Sequence, residues 1–160
     1  MNVSTCATIE LARSPEEVFD FVADPSHFDR WLRELAPIPG VKSAEAIGER
    51  VQRVGSRRRI AMTDGAVLIE EVLVLDRPHR HAYRWEKPKL PFSLLVRSGR
   101  GDWTFAPSAA GTRVEWTYTF ELTTPLVYLP GRLVVLAFNR WMRRNLARIE
   151  PELAAAGDAG

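Results

Sequence analysis

The chain is short of the residues that most metal, redox and disulfide chemistry needs. Its 160 residues include one cysteine, Cys6, and three histidines. A lone cysteine excludes an internal disulfide and every multi-cysteine metal motif. His27, His79 and His81 lack the spacing of a metal site, and His79 with His81 would need ligands from elsewhere, so no metal and no cofactor is expected. There is no Gly-rich phosphate loop ahead of Lys-Ser/Thr, no His-Glu-x-x-His, no Gly-x-Ser-x-Gly and no dinucleotide fingerprint. Neither sign of charge dominates: 22 Lys+Arg face 20 Asp+Glu, and a formal charge of +2 is too small an excess for an electrostatically driven nucleic-acid binder. Long apolar runs are missing too. The longest, Leu133 to Phe138, falls far below the roughly 18 residues of a membrane-spanning helix, and no basic segment followed by an apolar one opens the chain. A soluble, cytoplasmic protein follows as the expectation. With 46% hydrophobic and 26% charged residues, the length suits one globular domain over 1–160.

What is present divides into three stretches. Thr5 to Leu11 reads as a first strand, closed by Ser14-Pro15-Glu16-Glu17, where a Ser cap, Pro at the first helical position and Glu three after the cap form a capping box. Two short helices follow over about 15–34, the second announced by Asp24-Pro25. Six strands come next, at about 41–47, 54–63, 66–76, 80–87, 94–106 and 112–123, with Thr63-Asp64-Gly65 and Ala109-Ala110-Gly111 as hairpin signals. The last of them alternates most clearly, Val114, Trp116, Tyr118, Phe120 and Leu122 against Arg113, Glu115, Thr117, Thr119 and Glu121. A helix over about 131–155 gathers Val134, Val135, Phe138, Trp141, Met142, Leu146, Ile149 and Leu153 on one broad face, and Pro151 should kink or end it. The fold class is α+β, a seven-stranded antiparallel sheet wrapped around the one element long enough to cover its apolar face, the C-terminal helix.

Between such a sheet and helix, large aromatics with few polar groups resemble the lining of a small-molecule pocket. Tyr83, Trp85, Phe92, Trp103, Trp116, Tyr118, Phe138, Trp141 and Met142 are the candidates, and a filled core is the plainer alternative for each. Asn145 falls within the helix's apolar face, where a buried amide needs partners: a ligand oxygen, a neighbouring strand or a trapped water. His81, in phase with Tyr83 and Trp85, is a candidate general acid or base. Of Glu70 and Glu71, phase with Leu68, Val72 and Val74 favours Glu70 as the inward one, and a carboxylate there needs a partner such as Arg58. Strand alternation turns Arg58 away from Arg57 and Arg59, so the arginine run makes no patch. Arg140, Arg144 and Arg148 recur every four residues, as a solvated helix face or one toward acidic lipid. The segment Lys87 to Arg100, with Pro88, Pro91, Gly99 and the apolar run Leu90 to Val96, reads as a gate meeting Leu126 to Leu129, or as a packed loop.

The chain resembles the START-like, or SRPBCC, superfamily, whose helix-grip fold is shared by pollen allergens, lipid-transfer domains and bacterial polyketide cyclase/dehydrase-like proteins. The resemblance rests on Ile9-Glu10-Leu11, Ser14-Pro15-Glu16-Glu17-Val18-Phe19, Asp24-Pro25-Ser26-His27-Phe28-Asp29-Arg30-Trp31, Gly55-Ser56-Arg57-Arg58-Arg59, Asp76-Arg77-Pro78 and Gly111-Thr112-Arg113-Val114-Glu115-Trp116-Thr117-Tyr118. It implies a helix-grip fold and a small hydrophobic ligand as partner, bound or carried. An alternative is a cyclase or dehydratase acting on an aromatic or polyketide substrate, with proton transfer by His81, Glu70, a Tyr or Arg58. A third is a protein-interaction module of the chaperone-activator type. No catalytic residue carries over on a motif, because such motifs are structural. The expected partners exclude nucleic acid and an integral membrane segment, admit transient membrane contact, and leave monomer and homodimer open.

Overall fold

The computed structural model describes residues 1–49, 51–86 and 88–157. Seven antiparallel strands form one sheet: β1 (Asn2–Leu11), β2 (Val41–Ile47), β3 (Arg57–Met62), β4 (Val67–Asp76), β5 (Arg80–Glu86), β6 (Val96–Ser108) and β7 (Gly111–Leu122). Their order across the sheet is β1-β7-β6-β5-β4-β3-β2, so the last strand closes back on the first. Between β1 and β2 lie α1 (Pro15–Ala23), a 3-10 turn (Pro25–His27) and α2 (Phe28–Trp31), and α3 (Tyr128–Gly157) ends the chain. This is the helix-grip arrangement that the alternation and the long amphipathic tail imply.

Local chemistry explains the joints. Ser14 caps α1 through its Oγ, which accepts from Glu17 N–H at 3.3 Å, while Glu17 Oε2 accepts from Ser14 N–H at 3.0 Å. Asp24 caps the next turn by accepting from Ser26 N–H at 2.9 Å. The β3–β4 hairpin turns on Gly65 at φ +82°, and the β6–β7 hairpin on Gly111 at φ +134°, where an added Cβ would lie 2.4 Å from the Leu11 carbonyl oxygen.

Several boundaries differ from the expected ones. β1 starts at Asn2 rather than Thr5, because its pairing with β7 runs from Asn2↔Glu121 to Leu11↔Thr112. α2 stops at Trp31 rather than near residue 34, its last turn closed by Leu32 N–H on the Phe28 carbonyl at 2.9 Å. β3 begins at Arg57 rather than 54, since Gly55 takes a left-handed φ of +88° that a ladder excludes. β6 begins at Val96 rather than 94, after a 3-10 turn over Phe92–Leu94, and runs on to Ser108. Lys87, at the expected end of β5, and residues 158–160 lie outside the described residues.

Pro151 does not end α3, which continues to Gly157. Pro151 and Ala147, whose carbonyl the proline leaves without its usual donor, are both exposed, so that carbonyl is open to solvent rather than stranded in the core. Beyond the proline, Leu153 still packs against the core. The helix backbone lies chiefly against β1, with α2, α1 and β7 as lesser neighbours. Asn139 Nδ2 donates to Thr5 Oγ1 at 2.7 Å and to the Cys6 carbonyl at 2.8 Å, and Ala12 N–H donates to Glu150 Oε1 at 3.2 Å. No described helix is long and apolar enough to cross a membrane.

Candidate functional site

The sheet register sets the inner side chains in rows. One runs Glu70, Trp85, Gly99, Phe120; the next Val72, Tyr83, Gly101, Tyr118; a third Leu75, His81, Trp103, Trp116. Gly99 and Gly101 sit between aromatic neighbours, and their missing side chains let the flanking rings lie across β6. An added Cβ at Gly99 would stand 2.4 Å from Trp85 Cζ2, and one at Gly101 2.5 Å from Tyr83 Cζ. Laid flat in this way, Trp85 donates its indole N–H to the Tyr118 hydroxyl.

Rings from the helix meet rings from the sheet directly. Phe138 lies 4.5 Å from Tyr118 and 5.0 Å from Phe120 between ring centres, and Trp141 lies 5.7 Å from Trp116. The expected space between sheet and helix is thus occupied by aromatic contact. Phe92, from the β5–β6 connection, closes one end against Trp85 at 6.3 Å and Phe120 at 6.0 Å. Met142 is fully buried beneath this layer. A separate cleft of about 760 Å³ opens on the outside, lined by α1, the 25–27 turn, β2 and the ion pair Arg77–Asp20, away from these rings.

Deeper in, three tryptophans form a unit. Trp103 stacks on Trp116 at 4.3 Å and 15°, and Trp31 from α2 meets both edge-on at 5.8 and 6.2 Å. The indole N–H groups of all three are buried with no hydrogen-bond partner among the described residues. Those of Trp103 and Trp116 approach the Tyr83 hydroxyl without the alignment of a hydrogen bond, and burial pushes that hydroxyl's ionisation far above the ordinary tyrosine range despite them. Native interiors rarely leave buried donors orphaned, so a cluster of three marks this place. Trp31 was not among the residues singled out from sequence, where it reads only as the apolar side of a short helix.

Beside the tryptophans lies a buried polar cluster. Arg58 Nε donates to Glu70 Oε2 at 2.7 Å, Nη1 to the Ala23 carbonyl at 3.3 Å and Nη2 to His81 Nε2 at 3.4 Å. Its guanidinium also lies over the rings of Phe28, at 4.7 Å, and Tyr83, at 4.9 Å. Because arginine only donates, His81 Nε2 must accept, which places the imidazole proton on Nδ1, facing the Val74 carbonyl at 3.2 Å. Glu70 is inside and Glu71 outside, 3.7 Å from Arg84.

Asn145 is buried, and Arg33 occupies both ends of its amide. Oδ1 accepts from Arg33 N–H at 2.9 Å and Nδ2 donates to the Arg33 carbonyl at 3.2 Å, which also takes the Trp141 indole N–H at 2.8 Å. Asn145 and Trp141 therefore fasten α3 to the turn after α2. Among the described residues no three His, Cys, Asp or Glu side chains gather to hold a metal.

Burial, with the Arg58 charge adding to it, pushes His81 down to about 3, whereas burial outweighs Arg58 at Glu70 and holds that carboxyl above its ordinary value. The two act on stability with opposite signs. His81, depressed on folding, contributes stability fully above about 6.5 and loses it as pH falls toward 3. Glu70, raised on folding, contributes below its unfolded value and loses that contribution as pH rises through its folded one. His81→Gln should therefore flatten the fall in melting temperature between pH 6.5 and 4, and Glu70→Gln should steepen it. Identical acid profiles for wild type and both variants, by calorimetry, would contradict this assignment.

Comparison with known proteins agrees with the architecture. Residues 3–154 match the model of a family described as polyketide cyclase/dehydrase and lipid transport. An uncharacterized protein of Mycobacterium tuberculosis is 27% identical over 152 residues, covering 93% of this chain and 86% of the relative. A Thermus thermophilus structure is similar at a TM-score of 0.71 and 25% identity over 96% of this chain and 99% of its own. The di-domain ARO/CYC protein BexL of the BE-7585A biosynthetic pathway has the same fold, at a TM-score of 0.70 and 21% identity, with 94% of this chain matching 49% of that one.

Proposed function

Because the chain belongs to the polyketide cyclase/dehydrase and lipid transport family, we propose that it binds a small, largely apolar molecule bearing hydrogen-bond acceptors between the sheet and α3. The observation that carries this reading is the trio of buried indole N–H groups at Trp31, Trp103 and Trp116: among the described residues Trp31 has no partner, and Trp103 and Trp116 have only a misaligned approach to the Tyr83 hydroxyl. An interior built only for packing gains nothing from buried donors, whereas a carbonyl or phenolate oxygen among them converts their desolvation cost into binding. Phe138, half-buried against the Tyr118 and Phe120 rings, and Phe92 at the end of the layer are the side chains that give way to admit it. Tyr83, Trp85, Tyr118, Trp141 and Met142 supply the apolar walls.

A cyclase or dehydratase is the second reading, favoured by the adjacent Arg58, Glu70 and His81. Two of its proton-transfer groups are already engaged: His81 is neutral with its lone pair facing Arg58, and Glu70 faces the same guanidinium. Binding without turnover makes fewer demands on this geometry.

Flavone, an aromatic ketone, and pyrene, which has no acceptor, separate the binding reading from plain apolar uptake. Flavone should raise the melting temperature with the logarithm of its excess. Trp103→Phe and Trp116→Phe, which keep a ring and remove the N–H, should each weaken flavone by about three- to tenfold and leave pyrene nearly unchanged. Equal losses for both probes, or none, would refute the role given to the indoles.

A further inference from the structure

Outside the aromatic layer, a run of large apolar side chains lies exposed along α3 and the β5–β6 connection. Leu126, Leu129, Leu133 and Leu136 are between 64% and 93% exposed, and Leu90 and Leu94 on the β5–β6 connection are 66% and 65% exposed. The two segments are tied together: Thr123 Oγ1 donates to the Leu94 carbonyl at 2.7 Å, and Thr123 N–H to the Leu95 carbonyl at 3.0 Å. Along α3, Leu129, Leu133 and Leu136 recur at steps of four and three and so share its outer face. The inner face is marked by Gly131, where an added Cβ would meet Leu122 at 2.8 Å.

The same outer face changes character one turn on. Arg140, Arg143 and Arg144 are exposed and form no ion pair among the described residues. From Leu122 to Ile149 the chain has no acidic residue, and Arg132 adds a further cation among the leucines. From Pro88 to Gly101 there is again no acid, with Lys89, Arg97 and Arg100 present. Arg97 and Arg100 are held by Glu121 and Asp102, which leaves Lys89, Arg132 and the three helix arginines for an outside anion.

We propose that this face, the outer side of the first half of α3 with the tip of the β5–β6 connection, docks on an anionic lipid bilayer. The leucines enter the acyl boundary and the arginines meet the headgroups, the division of labour of an interfacial helix. A second copy of the chain fits less well. Antiparallel pairing of two α3 helices would set leucines against arginines, and parallel pairing would set arginine stripes against each other. Docking goes beyond the binding reading, because it needs no occupied interior. It does bring the lipid surface to the end where Phe92 closes the aromatic layer.

The test is co-sedimentation of the full chain with vesicles of phosphatidylcholine alone and of phosphatidylcholine mixed with phosphatidylglycerol. Binding should require phosphatidylglycerol and weaken as salt rises. Leu133→Glu should lower partitioning about tenfold or more, and Arg140→Gln or Arg144→Gln about fivefold each. All three positions are exposed, so melting temperatures should match wild type. Failure to bind the mixed vesicles, or equal binding by wild type and Leu133→Glu, would overturn the proposal. So would a dimer in sedimentation equilibrium that Leu133→Glu dissolves without vesicle binding by wild type, which would assign the face to a second copy. None of these outcomes bears on flavone binding, so the two readings fail separately.

Discussion

Replacing Arg58 by alanine should cost about 3–5 kcal/mol of folding stability, the usual loss when one partner of a buried ion pair is removed. Arg58 is 2% exposed, and its guanidinium serves Glu70, the Ala23 carbonyl and His81 at once. Without it the Glu70 carboxylate is left in an apolar interior and takes up a proton or draws in water. For a chain of this size the loss corresponds to a fall of roughly 10 °C or more in melting temperature. The double variant Arg58→Leu, Glu70→Leu should regain most of the loss, because it removes the stranded charge together with its partner. A single variant melting within about 2 °C of wild type would show that water already reaches this pair, since exposed pairs contribute at most about 1 kcal/mol.

The second large effect is expected at the two glycines of β6. Gly101→Ala places a methyl group 2.5 Å from the Tyr83 ring, and Gly99→Ala places one 2.4 Å from Trp85. Both rings are buried and fixed by neighbours, so relief requires lifting them off the strand, at about 1–3 kcal/mol for overpacking of this kind. Lifting Tyr83 also moves its hydroxyl away from the Trp103 and Trp116 indoles. Gly101→Ala should therefore lower both stability and flavone affinity. Gly65→Ala is the control: nothing lies within 4 Å of its Cβ, and its φ of +82° alone accounts for a loss of about 1–2 kcal/mol without any change in flavone binding. Wild-type melting of Gly101→Ala would contradict the account of how the rings are laid down.

These glycines also show where the sequence stops being legible. Alternation along β7 is strong enough to place Trp116, Tyr118 and Phe120 on one face, and the phase of β4 turns Glu70 rather than Glu71 inward with Arg58 in reach. The capping box and the Asp-Pro turn mark both short helices before any tertiary contact is considered. Periodicity says which face a side chain takes, not how far it reaches once there. It therefore suggests an open space between sheet and helix where Phe138, Tyr118 and Trp141 in fact touch. Gly99 and Gly101 fall inside the strand expected at 94–106, where a residue without a side chain gives alternation nothing to assign to a face. Their spacing of two, beside Tyr83 and Trp85 at the same spacing, was the available sign that they floor a pair of flattened rings. Asn145 was legible as buried but not as spent, since its partner Arg33 lies 112 residues away. The unpartnered indoles leave no trace in the sequence, because every buried tryptophan looks alike until its neighbours are known.

The central claim is that buried indole donors take hold of an acceptor-bearing ligand, and the five tryptophans allow it to be watched donor by donor. In a nitrogen-15 to proton correlation spectrum each indole Nε1–H gives its own signal. On titration with flavone, the signals of Trp103 and Trp116, and that of Trp31 beside them, should move to lower field and become protected from exchange. Trp141, already bonded to the Arg33 carbonyl, should hardly change. If flavone binds and all three orphan donors stay where they were while another signal moves, the ligand sits elsewhere and the indole cluster is only core.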